Sequence, residues 1–170
     1  RKKPTVKAKE PQEVPSQGLK LFKSMLPATA KVMFIDSVVV PKNDFLRHVP
    51  LSKESGVIRT SNTHADFSNQ MGLYENELGL RRIFAKGDST QSELYTQTKL
   101  GNSWGQEAQI ADFNNQLYRK QNYPLLALDG VTLYFSAEGS ESMGGRDIFM
   151  SSFDSDKASW FKPQNLGLPY

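Results

Sequence analysis

The feature that most constrains the fold of this chain is a sequence pattern that occurs twice. The first copy is RRIFAKGDSTQSELYTQTKLGNSWGQEAQI (81–110), and the second is TLYFSAEGSESMGGRDIFMSSFDSDKASWFKPQNL (132–166). Each copy runs from an aromatic strand through a polar turn to a second strand, a polar loop, a Trp and a last polar-apolar run. A period near 50 residues with four short strands per unit is typical of a propeller blade.

Individual residues of the two copies match at offsets that grow along the chain. Phe84 matches Phe135 at an offset of 51, and Trp104 matches Trp160 at 56. Between them, 93–95 matches 147–149 at 54. The offset grows because each later loop of the second copy is longer. A single unit of this kind cannot bury both of its faces, so we expect the units to stack.

Period-two alternation with β-branched and aromatic residues predicts strands outside the repeat as well. Helical periodicity over twelve or more residues is absent. A short amphipathic turn is expected within 19–30, ended by Pro27, and Asn43 or Asp44 is a candidate N-cap for one helical turn. Asp129-Gly130 has tight-turn chemistry. The predicted strands are 31–40, 56–60, 79–85, 92–100, 131–138 and 146–153.

The predicted fold is therefore all-β, a partial β-propeller of about three four-stranded antiparallel blades over 31–170. Residues 1–30 are predicted to be a basic, Pro-containing linker or flexible arm, because 1–18 contains three prolines and few bulky apolar groups. Propellers usually contain four to eight blades. We therefore expect the chain to be a fragment with an incomplete ring, whose open blade edges favour self-association.

The positive charge of the chain belongs to its N-terminal arm. Residues 1–31 contain eight Lys or Arg and two Glu, whereas the other 139 contain 13 basic and 16 acidic residues. A nucleic-acid-binding domain usually has its basic residues on a folded face, so no nucleic-acid partner is expected. The arm is either a solvated tail or a weak contact with an anionic lipid or polymer.

The loop SAEGSESMGGRD (136–147) has a structural and a functional interpretation. In the structural one, Gly144 and Gly145 supply positive φ before the next strand, and Asp147 accepts hydrogen bonds that lock the turn. In the functional one, the loop contacts a ligand at the propeller mouth, with Arg146 as a donor to an anion. The candidate ligand-binding residues are Gly144, Gly145, Arg146 and Asp147.

Residue chemistry argues against a metal, a cofactor or catalysis. The chain has no cysteine and only two histidines, His48 and His64, which are not spaced as ligands. Asp154 and Asp156 alternate as calcium ligands do, but the Gly and distal Glu of an EF-hand loop are missing. A glycosidase needs paired carboxylates about 5–10 Å apart, or a Tyr nucleophile. Nothing in the sequence brings together the arginines that would bind a sugar acid, namely Arg59, Arg81, Arg82, Arg119 and Arg146.

Residues 123–152, YPLLALDGVTLYFSAEGSESMGGRDIFMSS, resemble the WD40-like or PD40 propeller repeat of TolB-type proteins, in the version found in the Bacteroidetes cell envelope. That blade reads roughly P-x-x-S-x-D-G-x-T-L-Y-F-x-S, then G-G-x-D-I-Y or D-I-F, then P-x-N-L-G. Ala127 replaces the usual Ser, and Arg146 stands where an aromatic residue is common. The resemblance covers about 31–170 and is strongest in 123–167. The matching residues are Pro124, Asp129-Gly130, 132–135, Gly144-Gly145, 147–149, Pro163 and 165–167.

The resemblance implies a secreted, periplasmic or outer-membrane-associated protein, often lipid-anchored, with a non-catalytic binding or scaffold role. Its expected partner is an envelope protein, a glycan or peptidoglycan. The alternative function is that of a sialidase-like glycoside hydrolase fragment. A third alternative is a piece without a function of its own, half of a propeller completed by other sequence.

Overall fold

The structure, a computed structural model, describes residues 17–29, 36–61 and 71–168. Helix α1 spans Gln17–Met25, and a 3-10 turn over Leu26–Ala28 follows it. The helical turn predicted within 19–30 is thus confirmed, but it begins earlier and continues through Pro27 instead of ending there. Residues 1–16 of the predicted arm lie outside the described range. The backbone N–H of Gly18 donates to the carbonyl of Ser140 at 3.2 Å, so α1 contacts the β body.

The segment that precedes the first strand corrects one prediction. Residues 36–40 of the strand predicted at 31–40 have no regular structure, and 31–35 lie outside the described residues. Val38 and Val39 are 75% and 99% exposed, which shows that a β-branched run without a partner strand does not form a strand. A helical turn forms near Asp44 as predicted, as a 3-10 helix over Lys42–His48, and a second one spans Lys53–Ser55. Asn43 and Asp44 lie inside the first of these helices, so the N-cap role predicted for them is wrong.

Two curled antiparallel sheets form the body and confirm the all-β prediction. In the first sheet the strand order is β1-β2-β3-β4-β5, with β6 paired to β4; in the second it is β10-β9-β8-β7, with β11 paired to β9. The first sheet contains β1 Val57–Ser61, β2 Met71–Glu75, β3 Arg81–Gly87, β4 Ser92–Leu100, β5 Ser103–Trp104 and β6 Ala108–Gln109. The second contains β7 Arg119–Leu126, β8 Thr132–Glu138, β9 Asp147–Asp154, β10 Ser159–Trp160 and β11 Gln164–Asn165.

The register of the two sheets repeats at the offsets found in the sequence. Phe84 lies opposite Tyr95 in the first sheet, and Phe135 lies opposite Phe149 in the second. The other cross-strand pairs agree: Tyr95–Gln109 with Phe149–Asn165, and Lys99–Trp104 with Phe153–Trp160. The sequence repeat is therefore a repeat of backbone pairing. The described residues form two such sheets, and the third blade and the propeller stay predictions.

The turn that joins the first two strands of each unit is also repeated. Gly79 donates its N–H to the carbonyl of Asn76 at 2.8 Å, and Gly130 donates to Ala127 at 3.0 Å. Gly79 and Gly130 have φ of 64° and 72°, a region that favours glycine. The Asp129 carboxylate accepts the N–H groups of residues 131 and 132, which confirms the tight turn predicted at Asp129-Gly130.

The two sheets pack together through opposite faces of the repeated unit. Strand β7 packs against β2, β3 and β4, and the buried side chains of both sheets form one core. The first sheet buries Ile83 and Leu94, whose counterparts Tyr134 and Ile148 are not buried. The second sheet buries a different set, Leu133, Phe135 and Phe149, whose counterparts Arg82, Phe84 and Tyr95 are only half-buried. Each unit therefore keeps one further face that the other unit does not cover.

A polar joint links the sheets where β7 crosses the first one. Gln121 is 0% exposed; its carbonyl accepts the Ser92 hydroxyl at 2.8 Å, and its side chain accepts the N–H of Leu94 at 3.3 Å. The neighbouring Asn122 is also buried, and its side-chain oxygen accepts the N–H of Gly72 at 2.7 Å. Two successive inward side chains break the alternation of a regular strand, and register shifts in β7 on both sides of Asn122 allow them.

Candidate functional site

The loop between β8 and β9 is held from inside by Asp147. One carboxylate oxygen of Asp147 accepts the backbone N–H of Met143 at 2.5 Å and the side-chain amide of Asn165 at 2.8 Å. The buried Ser142 hydroxyl accepts the N–H of Gly139 at 2.9 Å. These bonds tie the loop to β11, which is the turn-locking role that the structural interpretation predicted for Asp147.

The positive φ predicted for Gly144 and Gly145 is wrong. Neither residue has a positive φ, and a Cβ on either would meet no atom within 4 Å. The hydrogen bonds to Asp147 shape this loop, so its backbone does not need the left-handed region there. The two glycines stay predicted ligand contacts, and they lie exposed beside Arg146.

Arg146 belongs to a cationic surface formed by Arg119, Lys120, Tyr123, Glu138 and Arg146. The Arg146 guanidinium lies 5.9 Å from the centre of the Tyr123 ring, which is 45% exposed. Lys120 forms an ion pair with Glu138 at 2.9 Å. Three cations and one carboxylate around an exposed ring suit an acidic ligand with a flat or apolar face.

The pKa of Glu138 lies below its ordinary value. The hydrogen bond from Lys120 is the main cause, and the charges of Lys120, Arg146 and Arg119 lower it further against the opposing effect of burial. Glu138 therefore stays ionised near neutral pH. A carboxyl in this state accepts hydrogen bonds and balances the cations, but it is a poor general acid.

Sequence reasoning named Arg146 and Arg119 but missed Lys120, Tyr123 and Glu138 of the cationic surface. The missed signal was RKQNYP (119–124), a polar run inside an otherwise regular strand. Lys120 and Tyr123 have φ of 53° and 50°. Propensity predicts the opposite for Tyr123, because a residue before proline prefers extended backbone. The polar joint at Gln121 and Asn122 explains these conformations, and their consequence is that Tyr123 faces solvent.

The arginines predicted as possible sugar-acid ligands do not converge. Arg59, Arg81 and Arg82 lie in the first sheet, and only Arg119 and Arg146 share the cationic surface. Arg82 stacks on the Trp104 ring at 4.2 Å, whereas burial lowers the pKa of Arg81, which interacts with Tyr74.

A groove of ≈ 660 Å³ separates α1 from the end of the second sheet. Glu141 and Lys162 form an ion pair across its wall at 2.6 Å. Below it, the Tyr118 hydroxyl donates to the carbonyl of Pro163 at 3.1 Å, and burial raises the pKa of this phenol, with Glu141 adding to the effect. Glu141 and Lys162 neutralise each other, and the exposed Lys20 of α1 gives the groove one net positive charge.

No metal centre is found among the described residues, where no three His, Asp or Glu side chains come together. His48 ends a 3-10 helix, and His64 lies outside the described residues. One carboxylate oxygen of Asp154 accepts the backbone N–H groups of Asp156 and Lys157, so this carboxylate shapes a turn. In the same part of the chain, no helix is both long and apolar enough to cross a membrane.

Comparisons of the chain with protein-family models, curated proteins and solved structures find no match. The propeller-repeat resemblance therefore depends on the residues that carry it. The repeat of strand register is independent of that resemblance, because it is a property of the two sheets themselves.

Proposed function

We propose that this protein is a non-catalytic binding and scaffold module of the bacterial cell envelope, built from propeller-type blades. The observation that carries the proposal is the packing of two units of equal register through opposite faces. Units that meet in this way can be extended on both sides, as the blades of a propeller are. Such a body is a rigid support for loops that bind a partner, and it needs no reactive group of its own.

The cationic surface supports a partner with acidic groups, such as an acidic glycan, peptidoglycan or a protein carboxylate. Arg146 and Arg119 can donate to a carboxylate, and the exposed Tyr123 ring can stack on a sugar face. The same surface argues against a glycosidase that uses a pair of carboxyl groups, because that mechanism needs a protonated carboxyl beside a second carboxylate. Glu138 is held ionised by Lys120 and its neighbours.

The test combines binding and turnover on the same samples. Co-sedimentation with insoluble peptidoglycan should show binding that Arg146→Ala weakens about tenfold, a loss of one charge-assisted contact. Arg59→Ala, which removes an exposed cation from the first sheet, is the matched control and should leave binding unchanged. Binding that both variants weaken equally would show nonspecific charge attraction and contradict the site.

A panel of fluorogenic glycosides, including a sialoside, should show no turnover with the same protein. Turnover that Arg146→Ala abolishes would overturn the non-catalytic proposal in favour of a sialidase-like hydrolase. Localisation by fractionation of the source cells tests the envelope assignment, and recovery in the cytosolic fraction would contradict it.

A further inference from the structure

Two side chains of the cationic surface stand on left-handed backbone. Lys120 and Tyr123 have φ of 53° and 50°. The third non-glycine residue with positive φ among those described is Ala158, in the turn before β10. A residue with a Cβ is disfavoured in this region, and it persists there only where the surroundings over-determine it. Such residues cluster at ligand-binding sites, so these two positions call for a functional account.

Each of the two residues opens a β-bulge of β7. Two residues of β7, 120–121, lie opposite the single residue 137 of β8, and 123–124 lie opposite 135. In a bulge whose first residue has positive φ, that residue is usually glycine. The polar joint with the first sheet requires the bulges, but glycine at 120 and 123 would give the same backbone path. A Lys and a Tyr therefore stand where the fold alone favours glycine.

The backbone of Tyr123 is held in place by its neighbours. Its N–H donates to the side-chain oxygen of Asn122 at 2.8 Å, the same oxygen that accepts the N–H of Gly72. A Cβ on Gly72 would come within 2.7 Å of the Tyr123 Cα, so β2 lies directly against this residue. The next residue, Pro124, is fully buried. These contacts fix the backbone that presents the ring, so a ligand has little left to order.

The ring of Tyr123 is open to a ligand and lies beside a cation. It is 45% exposed, and the Arg146 guanidinium lies 5.9 Å from its centre. In the first sheet the Arg82 guanidinium lies only 4.2 Å from the centre of the Trp104 ring and covers it. The wider separation at Tyr123 leaves ring surface free. A sugar ring has a face of C–H groups that stacks on an aromatic ring, and a sugar carboxylate pairs with a guanidinium.

We propose that the ligand of the cationic surface is an acidic sugar, and that Tyr123 determines this specificity by stacking on the sugar ring. Arg146 and Arg119 pair with the sugar carboxylate, as in the proposed function on which this inference rests. A protein carboxylate would need only the cations, and flexible Lys or Arg side chains supply those without left-handed backbone. The ring on disfavoured backbone is the feature that an acidic sugar uses and a bare carboxylate does not.

Calorimetric titration at low salt with two probes of equal net charge, trigalacturonate and triglutamate, tests the specificity. The unaltered protein should bind trigalacturonate about fivefold more tightly, which is the order of one aromatic stacking contact. Tyr123→Leu should remove this preference, whereas Tyr123→Phe keeps the ring and should retain it. Phe161→Leu, at another exposed aromatic residue, is the matched control and should also retain it. Equal affinity for the two probes, or a preference that persists in Tyr123→Leu, would overturn the proposal.

Co-sedimentation with peptidoglycan separates this inference from the proposed function. Binding should fall in Tyr123→Leu as well as in Arg146→Ala. Binding that depends on Arg146 but not on Tyr123 would overturn the sugar-stacking inference and leave the proposed function standing. Absence of both peptidoglycan and trigalacturonate binding would overturn both.

Thermal unfolding tests the backbone strain without a ligand. Tyr123→Gly should unfold at a higher temperature than Tyr123→Ala, because glycine adopts positive φ without a steric cost. The opposite order is expected at Ile148, a strand residue of similar exposure, where Ile148→Gly should unfold below Ile148→Ala. A Tyr123→Gly variant less stable than Tyr123→Ala would show that this backbone is not strained, and the argument for a positioned ring would fall.

Discussion

The two sheets have the same register but bury opposite faces. In the first sheet the core residues are Ile83 and Leu94, and in the second they are Phe135 and Phe149, which lie on the other face of the unit. The comparison separates two levels of the fold. The repeated sequence determines how the strands pair. Which face of each unit is buried depends on the unit that packs against it.

The largest expected effect is a difference in the stability lost when each of two matching phenylalanines, Phe135 and Phe84, is replaced by alanine. Phe135→Ala should lower the free energy of unfolding by about 3–5 kcal/mol, because it removes a fully buried ring. Phe84→Ala should cost about 1–2 kcal/mol, since its half-buried ring loses less contact area. Urea denaturation measures both. Equal losses would show that the two faces are equally buried and would contradict the comparison.

Substitution in the polar joint should destabilise the protein nearly as much as Phe135→Ala. Gln121→Ala should cost about 3 kcal/mol, because it removes side-chain bonds to Leu94, Phe113 and Tyr118 and leaves buried groups unpaired. Gln116→Ala, at an exposed position in the connection that precedes β7, is the matched control and should change stability by less than about 0.5 kcal/mol. A loss below about 1 kcal/mol for Gln121→Ala would show that water satisfies the joint.

A Gly→Ala substitution should destabilise the protein by a similar amount in each of the two repeated turns. Gly79→Ala and Gly130→Ala should each cost about 1–2 kcal/mol, because both residues have positive φ. Gly144→Ala should be close to neutral, since it has neither a positive φ nor a nearby atom that a Cβ would meet. Thermal unfolding of the three variants measures the difference. A cost for Gly144→Ala equal to the other two would mean that this loop needs its glycine after all.

The smallest expected effect concerns the two matching turns between the first two strands of each unit. The stability that the turn of the second sheet contributes should depend on pH, whereas that of the first sheet should not. Hydrogen bonds from the Thr132 hydroxyl, then from the N–H groups of Thr132 and Val131, lower the pKa of Asp129 below its ordinary 3.8. A lowered pKa in the folded state stabilises the fold above pH 3.8, and the stabilisation is lost as the pH falls below it. The matching turn of the first sheet is capped by Asn76, which does not titrate.

Asp129→Asn should therefore lower the Tm at pH 7 by about 2 °C. The drop in Tm from pH 5 to pH 3 should be smaller in this variant than in the unaltered protein. Asn76→Ala is the matched control, and its effect on Tm should be the same at both pH values. An unchanged acid sensitivity in Asp129→Asn would show that other carboxylates account for it.

Sequence periodicity predicted most strands of the two sheets. It failed where a contact with a neighbouring element determines the local structure. Strands β4 and β8 were predicted within a residue because apolar and polar side chains alternate along them. The run at 36–40 alternates less and has no partner strand, so its β-branched residues did not predict its structure. The bulges of β7 and the exposed Tyr123 were missed because they follow from the buried polar joint with the first sheet, a contact that no local pattern reveals. Likewise, the loop glycines have no conformational role because Asp147 shapes the loop.

The most direct test of opposite-face packing is an NOE experiment on the protein in solution, with labelled backbone amides and labelled Leu and Ile methyl groups. We expect NOEs from the Leu94 backbone N–H to the side chain of Gln121 in β7, because this N–H donates to the Gln121 side-chain oxygen at 3.3 Å. Ile148, the counterpart of Leu94, should show no NOE to Leu94, because it is 40% exposed on the far face of the second sheet. An NOE between Leu94 and Ile148 would mean that equivalent faces meet, and would contradict the stacked-unit account.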